Sequence, residues 1–340
     1  MGKRTKKVFV ALSGGRDSAV AAWLLKKQGF EVKGVFFRLH NLSKHEKAVQ
    51  AARRIGIPFV VWDFRKEFKK EIINDFIRQY KKGDTPNPCV SCNRLIKFGL
   101  FYKRAKKEGA DFISTGHYAR IFKKDNQYLL AQARDRQKDQ SYFLWGIKKN
   151  LLKEIIFPLG HLTAQKVEKI ARKNQLAGKK YQSSQEICFV PETVRVFLKK
   201  NIKAKKGKII DIKSGQAIGV HPGVYFYTLG QREGIGLNQG PWYVVKKDPA
   251  KNILFVSQNK KNLLTRKVKL MEINLVKKIK FPFKAKVKTR FRHPGAQAIV
   301  RKIENRIVVD FKKPERALTP GQACVFYQGD ILIGGGIIKK

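Results

Sequence analysis

Two cysteines, Cys89 and Cys92, stand three positions apart in the stretch DTPNPCVSCNRLIKFG, residues 84–99, on a loop stiffened by Pro86 and Pro88. Three kinds of chemistry use a Cys-x-x-Cys: a redox pair, half of a metal site, or a nucleophilic sulfur with a helping neighbour. Cys188 in EICFV and Cys324 in QACVFY complete the set. Four widely spaced cysteines in 340 residues do not make a secreted disulfide framework, so they are expected to be reduced unless they work. Taken singly, Cys188 reads as a small hydrophobe inside ICFV, and Cys92 as a loop thiol.

A second group of residues could hold phosphate. ALSGGRDS, residues 11–18, lacks the Gly-Lys-Ser/Thr of a Walker loop. Its glycines, Gly14 and Gly15, still let the backbone turn so that amide groups converge on an anion. Ser13 and Ser18 add hydroxyls, and a following helix would add its dipole. STGHYAR, residues 114–120, contributes Gly116 and His117; a lone histidine is more often structural, and Gly116 suits close backbone approach to a nucleotide. KDQSYFL, residues 138–144, reads by itself as a solvated turn ahead of a buried helix.

These residues must be positioned by alternating strands and helices. KVFVAL (7–12), EVKGVFF (31–37), PFVVWDF (58–64) and DFISTG (111–116) read as strands, with helices after SGG, near 44–55, over 65–81 and over 93–107. That order predicts an α/β domain with a parallel sheet and crossover helices. Ligands in such sheets bind beyond the C-terminal strand ends, so SGG and STGH should face one crevice. The pattern from about 150 to 204 is helical, with Thr163 a good cap. After Gly207 short β-rich runs separated by Gly, Pro and Asn predict two small barrels or sheets. The expected domains are 1–204, 205–265 and 266–340, with no internal repeat.

Composition bounds the function. The chain carries 74 Lys and Arg against 25 Asp and Glu, a formal balance of +49. Part of this is a general lysine habit, but so large an excess, spread along the chain, predicts a broad face for a polyanion, nucleic acid first. No run of eighteen apolar residues offers a membrane span, and the short VFVAL after a basic start is too brief for a signal peptide. A cytoplasmic protein without membrane contact is expected.

SGGRDS looks like the PP-loop of the ATP pyrophosphatases. Together with GVFF, TPNPCVSCNRLIKFG, STGHYAR, KDQSYFL, SSQEICFV, YTLGQREGIG, PWYVV, KTRFRH and TPGQACVFY, in that order, it resembles the tRNA-specific 2-thiouridylases over nearly the whole chain. The resemblance implies a PP-loop domain, a central β-rich domain and a C-terminal β-barrel. It implies that the C2 oxygen of the wobble uridine is adenylated by ATP with Mg²⁺ and then replaced by sulfur. It gives Cys188 the persulfide and makes Cys92 its partner thiol. ATP would be held by Ala11, Leu12, Ser13, Gly14, Gly15, Arg16, Asp17, Ser18, Phe37 and Gly116. Asn87, Pro88 and Cys89 would approach the base. Lys138, Asp139, Gln140, Arg290 and Phe291 would contact the tRNA. A cysteine desulfurase or relay protein would supply sulfur.

Two departures stand out. Many members carry aspartate where Cys89 stands, and a longer acidic segment where HNLSKHEK follows GVFF. The third thiol opens an alternative, a [4Fe–4S] cluster on Cys89, Cys92 and Cys188. Two other functions compete. A different ATP pyrophosphatase, such as an amide-forming synthetase or another tRNA thiolase, would call for a glutaminase signature or another cysteine set. A non-catalytic RNA-binding protein would need neither SGGRDS nor Cys188.

Overall fold

The computed structural model describes residues 4–41, 43–176 and 187–339. The N-terminal part builds a five-stranded sheet. Strand β1 (Lys7–Ala11) leads into helix α1 (Arg16–Lys27), then β2 (Glu31–Arg38), α2 (Glu46–Ile55) and β3 (Phe59–Asp63). A helical stretch follows, α3 (Arg65–Phe68), a π-helical segment (Lys69–Ile73) and α4 (Asn74–Lys81). A second runs through α5 (Pro88–Cys92), a π-helical segment (Asn93–Phe101) and α6 (Tyr102–Lys107) to β4 (Phe112–Ser114). The strand order is β3-β2-β1-β4 with the two-residue β7 (Ile155–Ile156) at the edge, and every pairing is parallel.

Alternation in β1 sends Phe9 to one core, with Trp62 and Ile113, and Val8 and Val10 to the other, under α1 and α2. The chain reverses direction across the sheet between β1 and β4. Val10 is in register with Ser114 at that switch point, so the loops after the two strands leave side by side.

Two strands that sequence periodicity did not suggest, β5 (Ala119–Lys124) and β6 (Gln127–Gln132), form a hairpin after β4. Asp125 and Asn126 turn it with positive φ. The region 150–204 is only partly helical. A 3-10 turn (Lys149–Glu154) runs straight into β7, which is too short to show alternation, and α7 (Ala164–Lys173) and α8 (Val194–Asn201) follow. Thr163 and Thr193 cap these two helices through their hydroxyls.

Strands β8 (Gly207–Asp211), β9 (Ala217–His221), β10 (Tyr243–Asp248) and β11 (Ile253–Ser257) make a four-stranded central sheet. The remaining strands are β12 (Leu264–Leu275), β13 (Phe283–Lys288), β14 (Ala296–Ile303), β15 (Arg306–Arg316), β16 (Ala323–Gln328) and β17 (Ile331–Ile338). They are antiparallel and close into a six-stranded barrel through pairing of β12 with β17. The β5–β6 hairpin, which follows β4 in the chain, joins this barrel where Ile331 pairs with Ala131 and so stitches the N-terminal part to it. No helix among the described residues is long and apolar enough to cross a membrane.

Candidate active site

The loop after β1 is organised by its serines. Ser18 Oγ donates to the Gly15 carbonyl at 2.9 Å, accepts the Ser13 amide at 3.2 Å, and meets Ser13 Oγ at 3.1 Å. Ala11 ends the strand, and Leu12 is buried with its amide on the Val35 carbonyl, 2.8 Å. Gly14 turns at φ +80°. Gly15 stands at the N-cap of α1, so no side chain caps that helix end. Asp17 accepts from Arg16 Nε at 3.1 Å and from Tyr118 OH at 3.3 Å, and Arg16 also reaches Glu168.

Gly116 presses on this loop from the loop that follows β4. A Cβ there would lie 2.8 Å from the Ser18 amide nitrogen and 2.9 Å from the Asp17 carbonyl carbon. The expected shared crevice of SGG and STGH is therefore a backbone-to-backbone contact. Phe37, at the end of β2, packs against Phe101 and Phe64, with centroids 4.9 and 5.6 Å away. His117 is buried, with Nδ1 2.6 Å from Thr115 Oγ1 and rings of Phe98 and Phe157 beside it. Burial first, and then the Lys97 charge, hold it well below the usual histidine range, so its imidazole is neutral.

The cysteines, expected on a loop with a helix beginning only at residue 93, lie instead on the short helix α5. Asn87 caps α5 by accepting the Cys89 amide at 3.2 Å, and Pro88 takes the first turn, where a missing N–H costs nothing. Cys89 is half-buried, Cys92 is buried and Cys188 is exposed. Despite the distance in sequence, Cys188 is near enough to act on Cys92 through its charge, and Cys89 acts on Cys188 in the same way. Burial pushes Cys92 up to about 12; Lys97 pulls it down, and Cys188 and Cys89 push it up further. Burial also raises Cys89; Cys188, though its side chain is exposed, is raised by partial desolvation from surrounding protein and by Cys89, and Lys97 opposes the rise in each. Cys324 lies inside the barrel and is raised by burial. Residues 183–186 of SSQEICFV lie outside the described residues.

Lys97 was not singled out by the sequence. It lies five residues after Cys92, a spacing that an α-helix turns away from the thiol and that the wider turn of a π-helical segment brings back. Among the described residues no three His, Cys, Asp or Glu gather as a metal-holding group. The iron–sulfur alternative therefore finds no support among the described residues.

The KDQSYFL segment is built around Asp139. Its buried carboxylate accepts from Gln132 Nε2, the Ala133 amide, and the Ser141 amide and hydroxyl, at 2.9–3.2 Å, with Lys288 at 3.8 Å. Gln140 holds Tyr118 by its side-chain oxygen and its amide. Lys138 is half-buried and Arg290 exposed. Phe291 stacks on Phe143, whose carbonyl accepts Asn93 Nδ2, 3.1 Å. Barrel, KDQSYFL segment and cysteine helix therefore meet in one place.

Comparison with known proteins matches this architecture part by part. Residues 6–192 match the family model described as tRNA methyl transferase HUP domain, 195–258 its PRC-barrel domain, and 261–338 the aminomethyltransferase beta-barrel domain. The chain is 41% identical to the tRNA-specific 2-thiouridylase MnmA of Buchnera aphidicola, over 99% of this chain and 98% of that one. It is 43% identical to MnmA of Treponema denticola, covering 98% of each, and 38% identical to MnmA 2 of Clostridium tetani, covering 98% and 99%. The chain belongs to the tRNA-specific 2-thiouridylase family.

Proposed function

We propose that this protein replaces the C2 oxygen of the wobble uridine of tRNA with sulfur, at the expense of ATP. One observation carries the reading: Cys188, far from the other two in sequence, comes within electrostatic reach of Cys89 and Cys92, beside Lys97. The descriptions of the matched models mention methyl transfer, whereas a set of interacting thiols suits sulfur transfer.

Residues 11–18 and Gly116 would hold ATP with its Mg²⁺, which would offset the charge of the leaving pyrophosphate, and Phe37 would border the site. The uridine O2 attacks the α-phosphorus and pyrophosphate leaves, so a poor leaving group becomes AMP. The terminal sulfur of a Cys188 persulfide then attacks C2, and AMP departs. The Cys92 thiolate attacks Cys188 Sγ; the S–S bond breaks, its electron pair goes to the sulfur on C2, and the thiocarbonyl is released. A Cys92–Cys188 disulfide remains, and an external thiol reductant returns it with two electrons. Lys97 favours the thiolates on which both displacements depend.

Asn87, Pro88 and Cys89 border the base. Lys138 and Gln140, with Asp139 as the internal anchor of their loop, contact the tRNA together with Arg290 and Phe291. The positive balance supports that surface. A cysteine desulfurase or a relay protein loads Cys188, in the cytoplasm.

The test is mass spectrometry of nucleosides from tRNA incubated with enzyme, ATP and a sulfur source. A 2-thiouridine at the wobble position with AMP and pyrophosphate is expected. Release of ADP and phosphate, or a methylated base, overturns the reading.

A further inference from the structure

The cysteine helix hangs from a short connector after α4. Within it Pro86 and Pro88 have no N–H to donate, and Asn87 spends its side-chain oxygen on the Cys89 amide. Thr85 is bonded from another domain. Its N–H donates to the Pro320 carbonyl at 2.8 Å, and its carbonyl accepts Gln322 Nε2 at 2.7 Å. Both partners lie in the turn between β15 and β16 of the barrel. The turn comes this close because Gly321 stands there at φ +90°; a Cβ on it would lie 2.9 Å from Thr85 N and 3.0 Å from its carbonyl carbon. The turn is itself held. The Gly321 amide donates to the Ile338 carbonyl, the Gln322 amide to Thr319, and the Ile338 amide to the Gln322 carbonyl.

We propose that Gln322 is a positioning residue for sulfur transfer: with Gly321 it grips Thr85, and through Thr85 it sets the position of the Pro88–Cys92 helix that carries Cys92. The proposal rests on the reading of these thiols as the sulfur carriers. Only Pro86 and Asn87 separate Thr85 from the helix, and proline restricts both its own φ and the residue before it. A shift at Thr85 is therefore passed to the thiols rather than absorbed. The barrel then does more than contact tRNA: it completes the catalytic loop.

The test uses the full-length Gln322→Ala and Gln322→Glu proteins, with Gln328→Ala, elsewhere on the barrel, as control. Glu keeps the size of Gln and lacks the donor, so a space-filling role would spare it and a hydrogen-bonding role would not. Iodoacetamide labelling of Cys92, followed by peptide mass spectrometry, should speed up by roughly tenfold in both variants, the factor associated with one such bond. The thiolation kcat should fall by about tenfold or more, with the Kd for tRNA and the KM for ATP unchanged. Gly321→Ala should reproduce both effects by pushing the turn off Thr85. Labelling rates and kcat equal to the parent's, in folded Gln322→Ala and Gln322→Glu, overturn the proposal. If the parent protein itself never thiolates tRNA, the functional reading fails, while the labelling comparison still decides the grip on Thr85.

Discussion

The ring of Phe291 lies on that of Phe143, with centroids 4.5 Å apart and planes inclined by 36°. This pair ties the barrel to the KDQSYFL segment and presents Arg290 beside it. Arg290→Ala should leave the fold intact, weaken tRNA binding and lower the salt slope by about one unit. Phe291→Ala should also cost about 0.5–1.5 kcal/mol of stability beyond the lost burial. Affinity for tRNA should fall roughly 10³-fold or more between about 50 and 200 mM salt if some six to ten phosphates are contacted. Filter binding across salt concentrations checks this; a flat profile would mean the positive surface serves something else.

Gly116 meets the Ser18 amide in a contact with no room for a methyl group. Gly116→Ala should therefore displace the loop, cost on the order of 1–3 kcal/mol of stability, and abolish release of AMP. Asp17→Ala should impair turnover far more than tRNA binding. Product analysis on both variants, with tRNA binding in parallel, is the check.

His117 sets an acid-side limit. Its folded state resists protonation, whereas the unfolded chain takes up a proton below the ordinary histidine value of 6.5. Its contribution is full above that value and is lost as pH falls toward the depressed folded pKa. His40 and His221 are shifted in the same direction, each by burial. His117→Gln should flatten, but not remove, the fall in melting temperature below pH 6.5. An unchanged pH profile would contradict the buried neutral imidazole.

Cys92, raised to about 12, keeps its proton at neutral pH in the resting enzyme. Its alkylation rate should keep climbing beyond pH 9, the ordinary thiol range, rather than level off there. Burying the neutral thiol contributes stability that is complete below that range and is lost as pH rises toward 12. Lys97→Met should slow alkylation further, because the ammonium is what favours the thiolate. A plateau near pH 8 would show an already activated Cys92.

Much of the catalytic half was legible in the sequence because its signals are local. SGG between a strand and a helix, and Thr163 ahead of an amphipathic run, each state their own geometry, whereas Pro86 and Pro88 made the Cys89–Cys92 stretch read as a loop where α5 stands. The β5–β6 hairpin was missed because its outer edge is exposed and its partner strand, β17, lies two hundred residues away. Asp139 illustrates the same limit: KDQ reads as a solvated turn, and only the fold shows that its carboxylate faces inward to Gln132, Ala133 and Ser141. Lys97 escaped because its approach to the thiols depends on π-helical turns that residue spacing does not announce.

The central claim is that Cys92 and Cys188 carry the sulfur. Its most direct test is single exchange of Cys89, Cys92 and Cys188 to serine in protein purified without oxygen, with thiolation, iron and sulfide measured on each. Cys92→Ser and Cys188→Ser should be inactive, Cys89→Ser should retain activity, and the parent should be active without iron. Loss of activity in all three variants, with iron and sulfide in the active parent, would contradict it.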